Sequence, residues 1–289
     1  MSAALPILDD IDARPGSVAS LLRTVVGLSL RRLGGWISAA DLVRLLGALG
    51  VDAPQARTGI ARLRQKGLLV AERRDAAGYL VNPAAIPMLE RGDRRIFSRP
   101  SMTEDDPWCL VSYSIAEARR DVRGRLRRRL QWIGAGIVAP GLWICPGYLA
   151  GEAAQILDDL GARGDATLFR VAEPDVDGSL MDAVARWWDL DSLAEAHRAF
   201  LRHVGEHGAA PDPQGADPAA SFACYVHLVD RWRPIPYTDP GLPAALLPAD
   251  WPGRESAEAF ARLSARHEGP AWEYVRAVTG AGLVPPSRV

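Results

Sequence analysis

The chain has 289 residues, 48% of them hydrophobic and 24% charged, with a formal net charge of −1. This suits a globular protein with a substantial core and room for two domains or three small ones, and it predicts no general affinity for polyanions. No stretch is long and apolar enough to span a membrane, and Cys109, Cys145 and Cys224 are far apart with no CxxC pair, which argues against a disulfide framework or a structural zinc site.

The opening "MSAALPILDDIDARPG" is acidic and lacks a basic segment followed by an apolar one, so a signal peptide is not expected. The simplest expectation is a cytoplasmic protein with a flexible N-terminal arm over 1–16. Charge is unevenly distributed. Residues 1–100 carry 15 basic and 9 acidic side chains, and the remainder carries 19 and 26. Such a split suggests a nucleic-acid-facing end. Lys66 is the only lysine; codon bias accounts for the preference for Arg, which carries no functional weight by itself.

"SVASLLRTVVGLSLRR", 17–32, has apolar residues at helical spacing, and "GGW" breaks it. A second helix is predicted over 37–50, with Ser38 as its cap, Asp41 at the acid-preferring first turn and Gly50 at its end. A third is predicted over 52–67, capped by Asp52 or Ala53, with Pro54 in its first turn and Gly67 closing it. Ala56, Ile60 and Leu63 share its inward face. Thr58, Ala61, Arg62 and Gln65 point away, flanked by Arg57 and Arg64 on one side and Gln55 and Lys66 on the other. "LLVAERR" and "GYLVN" then make strands around "DAAG".

Three helices and a basic hairpin are the layout of a winged helix-turn-helix. There the third helix enters the major groove, where Arg and Gln read base edges and Thr meets a base or phosphate. Arg73 and Arg74 of the hairpin, with Arg64 and Lys66, would grip the backbone. The candidate DNA-binding set is therefore Gln55, Arg57, Thr58, Arg62, Arg64, Gln65, Lys66, Arg73 and Arg74. An Arg-rich solvated helix face is common, but the combination of helix order, hairpin and local charge favours DNA.

From 107 the order changes to strand, helix, two short strands around Pro140–Gly141, helix, strand. This is the βαββαβ unit of ferredoxin-like domains. From 178 the pattern is mostly helical: 179–188, 191–206, 219–232 and 254–280. The segment "GEHGAAPDPQGADPAA" is a loop between the second and third, and Pro234, Pro236, Pro240 and Pro243 predict an extended connector before the last.

Four stretches carry a family resemblance: "RTGIARLRQKGLL", "YSIAEARRDVRGRLRRRLQWIGAGIVAPGLWICP", "WWDLDSLAEAHRAFL" and "YTDPGLPAALLPADWPG". The chain resembles the PaaX-type transcriptional regulators of phenylacetate catabolism, along nearly its whole length. The last stretch is the most specific, because helical or strand patterning does not demand such a Pro- and Trp-punctuated string. The resemblance implies an α+β multidomain protein: a winged helix-turn-helix over 17–100, a ferredoxin-like domain over 101–175 and a helical C-terminal domain over 176–289. It also implies a repressor, expected to be a homodimer on a double-stranded DNA operator, released by an acyl-CoA effector such as phenylacetyl-CoA, with no cofactor and no metal. An effector site needs an apolar pocket and Arg side chains for phosphates; Arg119, Arg120, Arg123, Trp143, Trp187 and Trp188 are the candidates, although any one Trp is more often core.

Two rival readings remain. The central segment is also similar to small CRISPR-associated endoribonucleases, in which an Asp follows the tyrosine at the end of the first strand. Here Ser114 follows Tyr113, and a hydroxyl does not replace a carboxylate on a hard metal. The resemblance thus supports the fold and counts against a nuclease, and no catalytic residue is assigned. The seven arginines of 119–129 contact phosphates or form a solvated face with about equal weight. The other rival is a ligand-binding signalling module without DNA. His203 and His207 have a spacing that could hold a metal, but no matching ligand cluster is evident, and a solvated helix end is the stronger reading.

Overall fold

The computed structural model describes residues 14–207 and 217–282. Most of the expected arm, and the centre of the polar loop before 217, lie outside the described residues. Gly16 is within them, and its amide donates to Asp230 Oδ2 at 2.7 Å.

The N-terminal part contains α1 (Val18–Val25), β1 (Trp36–Ser38), α2 (Ala39–Gly47), α3 (Ala53–Gln65), β2 (Leu69–Arg73), β3 (Ala77–Val81) and α4 (Ile86–Asp93). The expected first helix continues past α1 only by widening into a π turn, Val26–Leu30, and then a 3-10 turn. Helix α2 starts two residues later than expected because Trp36–Ser38 is extended. It pairs with β3, which lies between β1 and β2 in a three-stranded sheet. A three-residue strand has no periodicity of its own; the open edge of β3 makes it. Ser38 does cap α2, its Oγ accepting from the Asp41 amide at 3.0 Å.

The central part is β4 (Trp108–Tyr113), α5 (Arg120–Trp132), β5 (Gly136–Ala139), β6 (Leu142–Pro146), α6 (Ala150–Asp159) and β7 (Ala166–Val171). The sheet order β5-β6-β4-β7, antiparallel throughout, is the ferredoxin-like arrangement. Alternation along β4 divides its side chains between two faces. Cys109 and Val111 pack with Leu126, Leu130 and Leu157 under the two helices, whereas Trp108 packs with Ile144 and Trp188 on the opposite face. Cys109 and Cys145, distant in sequence, are directly opposed on β4 and β6, and both thiols are free.

The C-terminal part is helical: α7 (Leu180–Trp187), α8 (Leu190–His207), α9 (Pro218–Trp232), α10 (Ile235–Thr238) and α11 (Gly253–Thr279). The extended connector is corrected at one point. Ile235–Thr238 forms a helical turn, because Pro234 sits at its N-cap in the α region and Pro236 in the first turn, where no N–H is required. No helix among the described residues is long and apolar enough to cross a membrane.

One hydrophobic core joins the two ends of the chain. Leu22, Val25 and Leu46 from the first helices share it with Trp232, Phe260 and Trp272 from α9 and α11. Trp232 stacks on Phe260 at 4.8 Å between centroids.

Candidate nucleic-acid interface

Helix α3 begins where Asp52 Oδ1 accepts the Gln55 amide at 2.8 Å, with Pro54 in the first turn. This satisfies an amide that the helix start leaves free. It ends at Gly67, whose φ of +79° suits glycine. Ala56, Gly59, Ile60 and Leu63 are buried. A Cβ on Gly59 would stand 3.3 Å from both Leu22 and Val18, so the missing side chain lets α3 lie close on α1. Sequence reasoning passed over Gly59, yet glycine in a helix interior is unfavourable by about 1 kcal/mol against Ala and so signals a close approach.

The opposite face matches the sequence reading. Gln55, Arg57, Thr58, Arg62, Arg64 and Gln65 are exposed, and Lys66 is partly exposed. Among the described residues the side chains of Arg57, Arg62, Arg64 and Gln65 make no hydrogen bond or ion pair. Thr58 Oγ1 donates back to the Pro54 carbonyl at 3.0 Å, which leaves its oxygen lone pairs to face outward. No acid lies within α3, so nothing on the helix neutralises its three arginines.

The hairpin is tied to the end of α3. Asn82 Nδ2 donates to the Gly67 carbonyl at 2.7 Å, and the Asn82 amide to Leu68 at 2.9 Å. At its far end the two arginines differ. Arg73 is exposed without a side-chain partner among the described residues. Arg74 bonds Glu72 at 2.7 Å and lies over the Trp36 ring at 5.3 Å. Trp36 also donates from Nε1 to the Glu72 carbonyl at 3.2 Å.

The Trp36 ring crosses the hairpin at Gly78, where a Cβ would meet the Ile37 carbonyl at 2.4 Å and the indole at 2.5 Å. Gly78→Ala is therefore expected to displace Trp36 and loosen the wing, costing about 1–3 kcal/mol by overpacking. Urea unfolding monitored by tryptophan emission measures it; an unchanged midpoint would show that the ring does not hold the hairpin. Trp36 and Gly78 are missed by a sequence reading because only strand pairing, with Trp36 opposite Leu80 and Ser38 opposite Gly78, brings the ring over the glycine.

The six candidate effector residues do not converge on one cavity. Arg123 and Trp143 line a cleft of about 440 Å³ beside Ser114. Arg119 is bound to Asp165 at 2.6 Å and to the Gly161 carbonyl at 2.7 Å, and Arg120 is exposed. Trp187 and Trp188 belong to the hydrophobic group on the other face of the sheet, where Trp188 Nε1 donates to the Gly134 carbonyl at 2.8 Å. That ring sits where a Cβ on Gly136 would be, 2.7 Å away. Among the described residues no group of three His, Cys, Asp or Glu side chains could hold a metal ion.

The Pro- and Trp-punctuated stretch 237–253 closes around Asp239. This buried carboxylate accepts from Arg99 Nη2 at 3.0 Å and the Gly241 amide at 2.8 Å, and lies 2.9 Å from His197 Nε2. Nδ1 of His197 is 2.6 Å from Ser256 Oγ, which in turn donates to the Gly253 carbonyl at 2.9 Å. His197, Asp239 and Ser256 are all buried, so the Ser, His and Asp cross-link helices and do not face a substrate. Gly241, with φ +63°, lies against the Pro100 carbonyl.

Comparison with known proteins agrees with this architecture part by part. Residues 17–82 match the PaaX-like protein family, 101–180 the PaaX protein central Cas2-like domain and 188–277 the PaaX-like protein C-terminal domain. The chain is 25% identical over 255 residues to the transcriptional repressor PaaX of Escherichia coli (strain K12), covering 86% of this chain and 79% of that protein. It is also similar in fold to the uncharacterized protein Rv0674 from Mycobacterium tuberculosis, with a TM-score of 0.55 at 23% identity, over 88% of this chain and 99% of that one.

Proposed function

Because the chain belongs to the PaaX-like family in its N-terminal, central Cas2-like and C-terminal parts, we propose that it is a sequence-specific DNA-binding transcriptional repressor. The observation that carries this reading is the outward face of α3: exposed, acid-free, with Arg57, Arg62, Arg64 and Gln65 uncommitted to any partner among the described residues. Unpaired guanidinium and amide groups on a helix narrow enough for the major groove are what base-edge and phosphate recognition requires. In this reading Arg62 and Gln65 read bases. Gln55, Arg57 and Thr58 support them at the N-terminal end, and Arg64, Lys66 and Arg73 hold phosphates. Arg74, paired with Glu72, braces the wing and adds less to the grip. The two helices of a homodimer would meet successive major grooves of a palindromic operator. An acyl-CoA effector such as phenylacetyl-CoA would release the DNA by binding more tightly to a form in which the helices no longer fit.

The test is a gel-shift titration on duplex from the region upstream of the protein's own gene, with and without a panel of acyl-CoAs. Arg62→Ala should weaken specific binding by about 1–3 kcal/mol and relax preference at one base pair. Arg73→Ala should weaken all sequences alike and lower the salt slope by about one. Undiminished preference in Arg62→Ala would overturn the recognition-helix assignment. Release by none of the acyl-CoAs would remove the effector and leave the DNA reading in place.

A further inference from the structure

Cys109 on β4 and Cys145 on β6 are register partners in the central sheet. Opposed residues of antiparallel strands point to the same face, with Cα atoms about 4.5 or 5.5 Å apart. Both spacings fall inside the roughly 4.4–6.8 Å that a disulfide spans. The two side chains do share a face: both are fully buried and pack with Leu126, Leu130 and Leu157 under the helices. Both thiols are free. Cys109 Sγ reaches the Leu110 carbonyl only at 4.0 Å, a weak tie that does not hold it away from its neighbour.

The pair is also unequal. Hydrogen bonding to Cys145 brings the pKa of Cys109 below the ordinary thiol value despite burial, and the Arg170 charge adds to this. The same hydrogen bond, together with burial, raises that of Cys145 well above it. The thiolate is the nucleophilic form of cysteine, so Cys109 is the attacking sulfur and Cys145 the one that follows. Cys109 is one strand from the sheet edge. Its register partner on β7, the terminal strand, is the exposed Arg170. Local opening of that edge admits an oxidant of a few atoms. Cys224 stands apart on α9, where burial raises its pKa.

We propose that Cys109 and Cys145 are a two-electron redox site that takes a small peroxide as oxidant and closes a reversible disulfide between β4 and β6. In the first step the Cys109 sulfur attacks one oxygen of the peroxide. The S–O bond forms, the O–O bond breaks, and the departing hydroxide takes the Cys109 proton and leaves as water. In the second step Cys145 attacks the resulting sulfenic acid. The S–S bond forms, the S–O bond breaks, and the second hydroxide leaves with the Cys145 proton. Two thiols and one hydrogen peroxide thus give one disulfide and two waters. The bond closes residues 110–144, with α5 and β5, into a covalent loop and pins the two inner strands of the sheet. Such a loop stabilises the fold by constraining the unfolded chain. None of this rests on the repressor reading.

The test treats the reduced, folded full chain with hydrogen peroxide, stops the reaction with catalase, and alkylates the protein as it is denatured. The three free thiols are expected to fall to one, with peptide mapping linking Cys109 to Cys145, and dithiothreitol should restore all three. In Cys224→Ser the count should fall from two to none, in a monomeric band on a non-reducing gel. In Cys145→Ser no disulfide should form, and dimedone should label the sulfenic acid at Cys109. If Cys145→Ser does not fold, the wild type and Cys224→Ser decide. The oxidised wild type should melt at a higher temperature than the reduced protein; equal melting temperatures would overturn the pinning. A thiol count that stays at three overturns the site. So does a disulfide that forms only through Cys224, or one that forms only when urea is present during the peroxide treatment.

Discussion

Asp230→Ala is expected to lower the free energy of unfolding by about 3–5 kcal/mol, the usual consequence of removing one partner from a buried charged pair. Asp230 lies on α9, fully buried, and its carboxylate is the hub between the two ends of the chain. Its Oδ2 accepts the Gly16 amide at 2.7 Å; its Oδ1 accepts Ser20 Oγ at 2.6 Å and Thr24 Oγ1 at 2.8 Å. Arg233, also buried, approaches Oδ1 with Nε at 3.5 Å and donates from Nη2 to Ser20 Oγ at 2.7 Å. The substitution strands the arginine and leaves the Ser20 hydroxyl and the Gly16 amide short of an acceptor, while Thr24 keeps the Ser20 carbonyl at 3.1 Å. Because α1 is the support on which α3 rests, DNA affinity should fall together with stability. Urea unfolding of the wild type and variant measures the first, and gel-shift titration the second. A stability loss below about 1 kcal/mol would show that water or neighbouring groups replace the carboxylate.

Asp239→Ala should cost a similar amount, about 3–5 kcal/mol, for the same reason. This carboxylate holds Arg99, His197 and the Gly241 turn together. It also carries an acid dependence whose sign can be worked out. Burial alone raises its pKa. The hydrogen bond to His197, the Arg99 charge and the Gly241 amide oppose that and bring it below the ordinary 3.8. A folded-state pKa below the unfolded one means that the unfolded chain binds the proton more readily. The stabilisation is therefore complete above the ordinary carboxylate range and is lost as pH falls through the lower folded value. Denaturation midpoints measured between pH 3 and 7 should show wild type losing stability below about pH 4. The Asp239→Asn curve should be flatter in that interval. Equal slopes there would assign the acid dependence to other carboxylates.

These two hubs show where sequence reasoning stops. Helix α3 was readable almost residue by residue, because its Asp52 cap, Pro54, apolar spacing at Ala56, Ile60 and Leu63 and terminal Gly67 are local signals. The βαββαβ order was readable for the same reason, since each strand and helix has its own period. The connector at 234–243 was misjudged at Ile235–Thr238 because prolines both interrupt helices and fit their first turn, and only the neighbouring chain selects between the two.

The candidate effector residues are dispersed in the fold. Arg119 is held by Asp165, from the turn before β7, and Arg123 by Glu117, while Trp143 and Trp188 enter different hydrophobic groups. Amino-acid type showed that arginine and tryptophan were present but not what each would find as a partner.

By itself, then, the sequence determined most of the elements, their order and the exposed basic face of α3, because each rests on spacing within some twenty residues, and its longer motifs carried the family; β1, α4 and the turn at Ile235–Thr238 left no such signal. The tertiary structure decided the rest. It brought Ser20 to Asp230 and Arg99 to Asp239, and laid Trp36 across Gly78. Hydrogen bonds and cavities depend on distances of a few ångströms between side chains as much as two hundred residues apart, and no local period records those distances.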